Sequence, residues 1–186
     1  MARTQYFVAS SIDGFIADAD GGLDWLMAFN GFDGQEEAYT TFLARVGAII
    51  MGAQTYRFLL NEHARGVLDG WPYTGTPTWV FTHAQLPVFD GADITFVAGD
   101  VAPVHSAALA AAGGANVWMV GGGSLAAQFL DAGLLDELLL SIMPIVLGAG
   151  RPLLPITAAV GPLVLKESRV PGGGVVELRY VLARRT

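Results

Sequence analysis

The sequence predicts an α/β fold with a mixed, mostly parallel central sheet and antiparallel strands at the C-terminal end. Three observations predict it. Short apolar runs alternate with helical patterns from residue 6 to about residue 145. The last two apolar runs have no helix between them, which implies an antiparallel edge. No internal repeat or low-complexity linker interrupts the 186 residues, so 1–186 reads as a single domain.

Tyr6 to Ser11 is predicted as the first, mostly buried strand, and Phe15-Ile16-Ala17 extends it past an Asp13-Gly14 turn or bulge. Asp18 to Gly22 is a loop. Gln35 to Val46 fits a helix, with Ala38, Phe42 and Val46 at helical spacing and Glu36 and Glu37 in the first turn, where the dipole favours acids. Ala48 to Met51 is a short buried strand ended by Gly52, and Thr55 to Asn61 a helix. Residues 65–75 are irregular; Thr78 to Thr82 and Ile94 to Val97 are strands. Val104 to Ala112 is an alanine-rich helix stopped by Gly113-Gly114. Val117 to Val120 is a strand, Ser124 to Ala132 a helix and Leu138 to Ile145 a strand. Leu163 to Ser168 and Val175 to Leu182 form a late hairpin across residues 171–174.

Composition narrows the function. Hydrophobic residues make up 53%, enough for a sizeable core, and charged residues only 15%, which argues against disorder. The formal net charge of -7 disfavours nucleic acid and anionic membrane as partners. With no cysteine, disulfides, thiolate metal sites and cysteine nucleophiles are excluded. No leader pattern or membrane-length apolar run is present, so a cytoplasmic protein is expected. His63, His83 and His105 have no metal-ligand spacing, so no metal is expected. Ser10-Ser11 lack the context of a hydrolase nucleophile.

The segment Val117 to Leu125, VWMVGGGSL, carries the main functional signal. Glycine loses more conformational freedom on folding than any other residue. Three together therefore imply either backbone with positive φ or something that approaches very closely. A buried strand ends there and a helix begins, so unpaired first-turn N–H groups can meet a phosphate. The alternative is a tight turn with no ligand. Ala126 stands where a third fingerprint glycine would be. Ile49 to Tyr56, IIMGAQTY, repeats the strand–glycine–helix pattern, with Thr55 either a helix cap or a phosphate donor. Two such turns after apolar strands point to a dinucleotide along the carboxyl edge of a sheet.

The order of SSIDGFIA, IIMGAQTY and VWMVGGGSL resembles the dihydrofolate-reductase-like superfamily over nearly the whole chain. The SIDG opening and the run PIVLGAGRPLL from Pro144 to Leu154 are similar to the reductase domain of bacterial riboflavin biosynthesis. The resemblance implies a three-layer α/β/α fold. It also implies an NADPH-dependent reductase, with NADH possible, acting on a pyrimidine- or pterin-like small molecule. The type reaction is that of 5-amino-6-(5-phosphoribosylamino)uracil reductase. It further implies a homodimer, paired through the strands at Leu138–Ile145 and Val175–Leu182. Dihydrofolate reductase itself, or a non-catalytic dimeric nucleotide-binding protein, are the other readings. The deaminase often joined to such reductases needs cysteine ligands for zinc, so no deaminase activity is expected.

Carried over by position, Gly121, Gly122, Gly123, Ser124 and Leu125 match the second phosphate turn, and Gly52, Gln54 and Thr55 the first. Thr82 and His83 match the adenosine end, and Ala9 lies near the nicotinamide. Glu36 matches the helix acid of dihydrofolate reductases, with Glu37 as the alternative. An acid in an apolar pocket suits proton donation after hydride transfer. The other reading of Glu36 is a solvated carboxylate at a helix N-terminus. Asp13 belongs to the SxDG signature as a second candidate catalytic residue, or serves plain Asp-Gly turn chemistry. Trp25 is a candidate for stacking on a flat ring, or simply packs, and Arg151 is a candidate substrate contact. Two departures stand out. Dihydrofolate reductases commonly place an arginine where this chain has Ala53, and losing one charge-assisted hydrogen bond costs about 1.5–3 kcal/mol. Riboflavin-pathway reductases usually carry an A-D-D-P-type segment near the substrate phosphate, and Leu60 to Gly66 does not match it.

Overall fold

The computed structural model describes residues 2–29, 31 and 35–183. Among these, eight strands form one sheet in the order β5-β4-β3-β6-β1-β7-β10-β9. They are β1 (Thr4–Ser11), β3 (Val46–Gly52), β4 (Thr78–Phe81), β5 (Ile94–Val97), β6 (Asn116–Gly121), β7 (Glu137–Met143), β9 (Val164–Gly172) and β10 (Val175–Val181). Every neighbour pairing from β5 to β7 is parallel, and β10 runs antiparallel to both β7 and β9. β2 (Phe15–Ala17) and β8 (Arg151–Pro152) form a separate two-stranded ribbon. The expected extension of the first strand through Phe15 therefore leaves the main sheet instead.

Side chains alternate across the strands and fill two cores. Tyr6, Ile50, Val117 and Met119 face one side, under Val101 and Ala108 of α4 (Val101–Ala111) and Phe129 of α5 (Gly123–Asp131). Ile49, Met51, Val80 and Trp118 face the other, against Tyr56 and Leu59 of α3 (Ala53–Ala64), with Phe42 of α2 (Gln35–Leu43) packed beside them. The result is the three-layer α/β/α arrangement, and β3 shows it best: consecutive residues Ile49, Ile50 and Met51 serve opposite cores.

Several boundaries differ from the sequence reading for identifiable reasons. α4 begins at Val101, three residues early, because Asp100 caps it by accepting from the Ala102 N–H at 3.1 Å. Pro103 then falls in the first turn, where its missing N–H costs nothing. α3 begins at Ala53 immediately after Gly52, so Thr55 is its third residue and not its cap. α2 stops at Leu43, and Val46 opens β3. A short helix, α1 (Asp24–Met27), follows the 18–22 loop and was not anticipated.

At the amino ends of β1 and β7, Glu137 is fully buried. Gln5 donates to it at 2.7 Å, Arg179 at 2.8 Å, and Arg3 closes the set. A buried carboxylate needs such partners. This end of the sheet is thereby committed to structure, and the opposite end is left for a ligand.

Candidate functional site

A cavity of about 1900 Å³ lies along the carboxyl ends of the parallel strands. One drug-sized ligand needs roughly 300–1,000 Å³, so the cavity is larger than one such ligand requires. β3 and β6 are neighbours, with Met51 opposite Gly121, so the two glycine turns predicted from sequence stand side by side at its edge.

The three glycines have three different reasons. A β-carbon on Gly121 would sit 3.0 Å from the Thr55 hydroxyl, so its absence lets the two turns touch. Gly122 has φ +93, a conformation that side chains disfavour. A β-carbon on Gly123 would sit 2.1 Å from the Pro152 carbonyl oxygen. Gly123 is thus occupied by close packing of β8. Both helices that start here have a glycine N-cap, Gly52 for α3 and Gly122 for α5, and neither receives a side-chain cap. The two helix starts stand in adjacent positions, where their partial positive charges add, and in the first turn of α5 the Leu125 N–H already donates to the Gly122 carbonyl at 2.9 Å.

Gln54, Thr55, Ser124 and Leu125 line the cavity beside these turns. Thr82 and His83, after β4, and Ala98 and Gly99, after β5, line one end. The Thr82 hydroxyl accepts from the Ala84 N–H at 3.0 Å, which shapes that turn. Ala9 lines the cavity from β1.

The other end is aromatic. Trp118 is the hub: its ring lies 5.3 Å from Tyr73 and 6.1 Å from Tyr39, edge to face, and its indole N–H donates to the Phe7 carbonyl at 3.3 Å. Phe7, Tyr39, Tyr73 and Trp118 all line this end. Burial pushes the hydroxyl pKa values of Tyr39 and Tyr73 up, and the two hydroxyls hydrogen-bond to each other. Both therefore remain neutral, and one of the two keeps its O–H free to donate to a ligand. Glu36 and Glu37 line the same end, one turn before Tyr39 on α2, and both are exposed. No residue of α2 is itself buried, so both acids reach the aromatic end from an exposed helix.

Three of the proposed site residues are placed differently from the reading. Asp13 is exposed and outside the cavity. Its carboxylate accepts from the N–H groups of Leu147 and Gly148 at 3.1 and 2.7 Å, so it ties down the loop after β7. The Ser11 hydroxyl, partly opposed by desolvation, and these two amides hold its carboxyl below the usual range. Trp25 does not line the cavity; its helix neighbours Leu23 and Leu26 do. Arg151 lines the cavity on β8, adjoining the Pro152 backbone that packs on Gly123, and its Nε lies 4.0 Å from where a Gly21 β-carbon would be. The Arg151 side chain thus stands beside the 18–22 loop, while the backbone that follows it packs on the α5 turn.

The sequence reading missed the aromatic end as a unit. Tyr73 comes from an irregular segment with no periodic signal, and Trp118 and Phe7 look like ordinary strand residues. Among the described residues no group of His, Asp and Glu is arranged to hold a metal, and no helix is long and apolar enough to cross a membrane.

Comparison with known proteins agrees with this architecture. The family model described as the RibD C-terminal domain matches residues 60–176. A Bacillus subtilis (strain 168) protein of uncharacterized function, YwjB, is 33% identical over 181 residues, covering 97% of this chain and 98% of its own. A crystal structure from Shewanella sp. PV-4, provisionally described as a riboflavin biosynthesis protein, superposes with a TM-score of 0.79. It is 28% identical and covers 98% of this chain and 99% of its own. Dihydrofolate reductase from Enterococcus faecalis, solved with NADP(H) and RAB-propyl, has the same fold at 13% identity. Its TM-score is 0.58, with 97% of this chain and 96% of that one covered.

Proposed function

The chain belongs to the RibD C-terminal domain family, and from that premise we propose that it is an NADPH-dependent reductase of a small flat heterocycle of the pyrimidine or pterin type. The observation that carries the reading is the pair of adjacent glycine-capped helix starts, α3 and α5, open to one large cavity. Two uncapped N-termini side by side suit a diphosphate, which has two charged groups to place.

When bound, the coenzyme supplies a hydride. The chain supplies everything around it. The first-turn N–H groups after Gly52 and Gly122 hold the diphosphate, with the Thr55 hydroxyl between the turns and Gln54, Ser124 and Leu125 beside them. Thr82 and His83 border the adenosine end, and Ala9 leaves room for the nicotinamide ring. The aromatic end orients the second ring. Glu36, or its neighbour Glu37, holds the proton needed by the reduced nitrogen, and substrate binding removes the water that now surrounds it. Ala53 gives the first turn no cation, so NADH is expected to bind as well, more weakly than NADPH.

The test is titration with NADPH and NADH, followed by the fluorescence of the reduced nicotinamide. Saturable binding of both, tighter for NADPH, is expected. No saturable binding of either sinks the reading, and binding without turnover on any pyrimidine or pterin leaves a nucleotide-binding protein.

We also propose a homodimer formed through the C-terminal strands. β7 and β10 lie within the sheet, and β9 takes its edge, exposed from Val164 to Val170 with Val164, Leu165 and Val170 as apolar contacts. An exposed apolar edge strand is commonly covered. Sedimentation equilibrium at micromolar concentration should give twice the chain mass, and a monomer would remove the proposal.

A further inference from the structure

Two motifs far apart in the chain are left without a role by the reading above: SSIDGFIA, residues 10–17, and PIVLGAGRPLL, residues 144–154. The fold joins them into one unit. The Ile12 N–H donates to the Ile145 carbonyl at 2.8 Å, and the Leu153 N–H to the Gly14 carbonyl at 2.8 Å. Between these two bonds the Asp13 carboxylate accepts from the N–H groups of Leu147 and Gly148. Phe15 and Ala17 then pair with Pro152 and Arg151. A β-carbon on Gly150 would run into the Ala17 carbonyl oxygen, so the two segments touch there as well.

The far side of this unit bears on the start of α5. The carbonyl oxygens of Pro152 and Leu153 stand where a Gly123 β-carbon would be. Leu153 is the link. Its N–H is held by Gly14, while its carbonyl faces Gly123 and accepts from the Tyr6 hydroxyl at 3.3 Å. Gly123 is the first residue of α5 and is buried. These contacts are largely backbone to backbone, so a displacement is passed on rather than absorbed by a side chain. Asp13 adds a side-chain tie at the other end. Both of its bonds are exposed. Water can take the N–H groups if the carboxylate is removed, so the loss falls on position more than on global stability.

We propose that Asp13 is a positioning residue for the coenzyme: by holding the loop at Leu147 and Gly148 it keeps β8 seated on Gly123, and so fixes the start of α5 that faces the diphosphate. This rests on the reductase reading above. It gives the SIDG aspartate a part in the reaction without contact with either ligand.

The experiment compares Asp13→Ala and Asp13→Asn with the parent protein. Hydrogen exchange of the free protein reads the turn itself. The N–H groups of Leu125 and Ala126, both bonded to the Gly122 carbonyl at 2.9 Å, report the start of α5, and residues 53–58 at the start of α3 are the internal reference. Asp13→Ala should speed exchange at Leu125 and Ala126 and leave the α3 start as it was. Its NADPH affinity, from nicotinamide fluorescence, should fall by roughly three- to thirtyfold. Asp13→Asn keeps an acceptor oxygen and should recover part of both. Exchange at the α5 start that stays at the parent value overturns the proposal, as does faster exchange with unchanged NADPH affinity. Equal acceleration at α3 and α5 overturns it too, because that marks a merely structural residue. A parent protein that binds no NADPH removes the reductase reading instead, and the coenzyme role of Asp13 with it.

Discussion

Gly123→Ala is expected to lower stability by about 1–3 kcal/mol, the ordinary cost of overpacking. For a chain of this size that is a fall in Tm of roughly 2–4 °C per kcal/mol. The added methyl would meet the Pro152 carbonyl oxygen at 2.1 Å, the Leu153 oxygen at 2.8 Å and the Leu153 carbonyl carbon at 3.1 Å. All three are backbone atoms, so no side chain can swing away. β8 must move, and with it Arg151, so coenzyme affinity should fall too. Gly122→Ala is the informative companion. There the nearest atoms stand at 3.8 Å, and the penalty comes from holding φ +93 and ψ 95, a sparsely populated backbone conformation, at about 1–3 kcal/mol. Thermal melts of the two variants separate packing from backbone strain. A Gly123→Ala protein that melts like the parent and binds coenzyme equally well would show that β8 does not press on this turn.

Glu36→Gln should slow the chemical step by roughly 10²–10⁴-fold while coenzyme affinity stays within about twofold. Glutamine keeps the size of the side chain but replaces one carboxyl oxygen by an NH2 donor, and removes both the charge and the proton it can give. The acid lies on α2 at the aromatic end, away from the two glycine turns, so coenzyme binding has no reason to change. Single-turnover oxidation of bound NADPH is the measurement. Glu37→Gln should cost far less. If the ranking reverses, the proton donor is Glu37; if neither variant slows the step, the proton comes from elsewhere, and the shared hydroxyls of Tyr39 and Tyr73 are the next groups to test.

What was legible in the sequence was local. A strand, a glycine and a helix start are consecutive in IIMGAQTY and VWMVGGGSL, so the two turns could be read without knowing the tertiary structure. Their placement along one sheet edge was expected, and the β3–β6 pairing makes them neighbours. What could not be read depended on distant partners. β8 is two residues long and contains a proline, and it exists because Phe15 and Ala17 pair with it. Asp13 read equally as a catalytic candidate or as Asp-Gly turn chemistry within SIDG, and the amides of Leu147 and Gly148 that donate to it lie more than 130 positions away. The aromatic end joins Phe7, Tyr39, Tyr73 and Trp118 from four separate segments, and no single-sequence pattern announces such a meeting.

The position of β1 has a consequence for how the molecule is made. This strand is made well before its neighbours β6 and β7: Thr4 pairs with Val117, and Gln5 with Glu137. At about 5–20 residues per second, it waits on the order of ten seconds for partners that have not been synthesised. An apolar segment with both edges bare for that long is a target for self-association or for a holding chaperone. The centre of the finished sheet is therefore the most vulnerable part of the newborn chain.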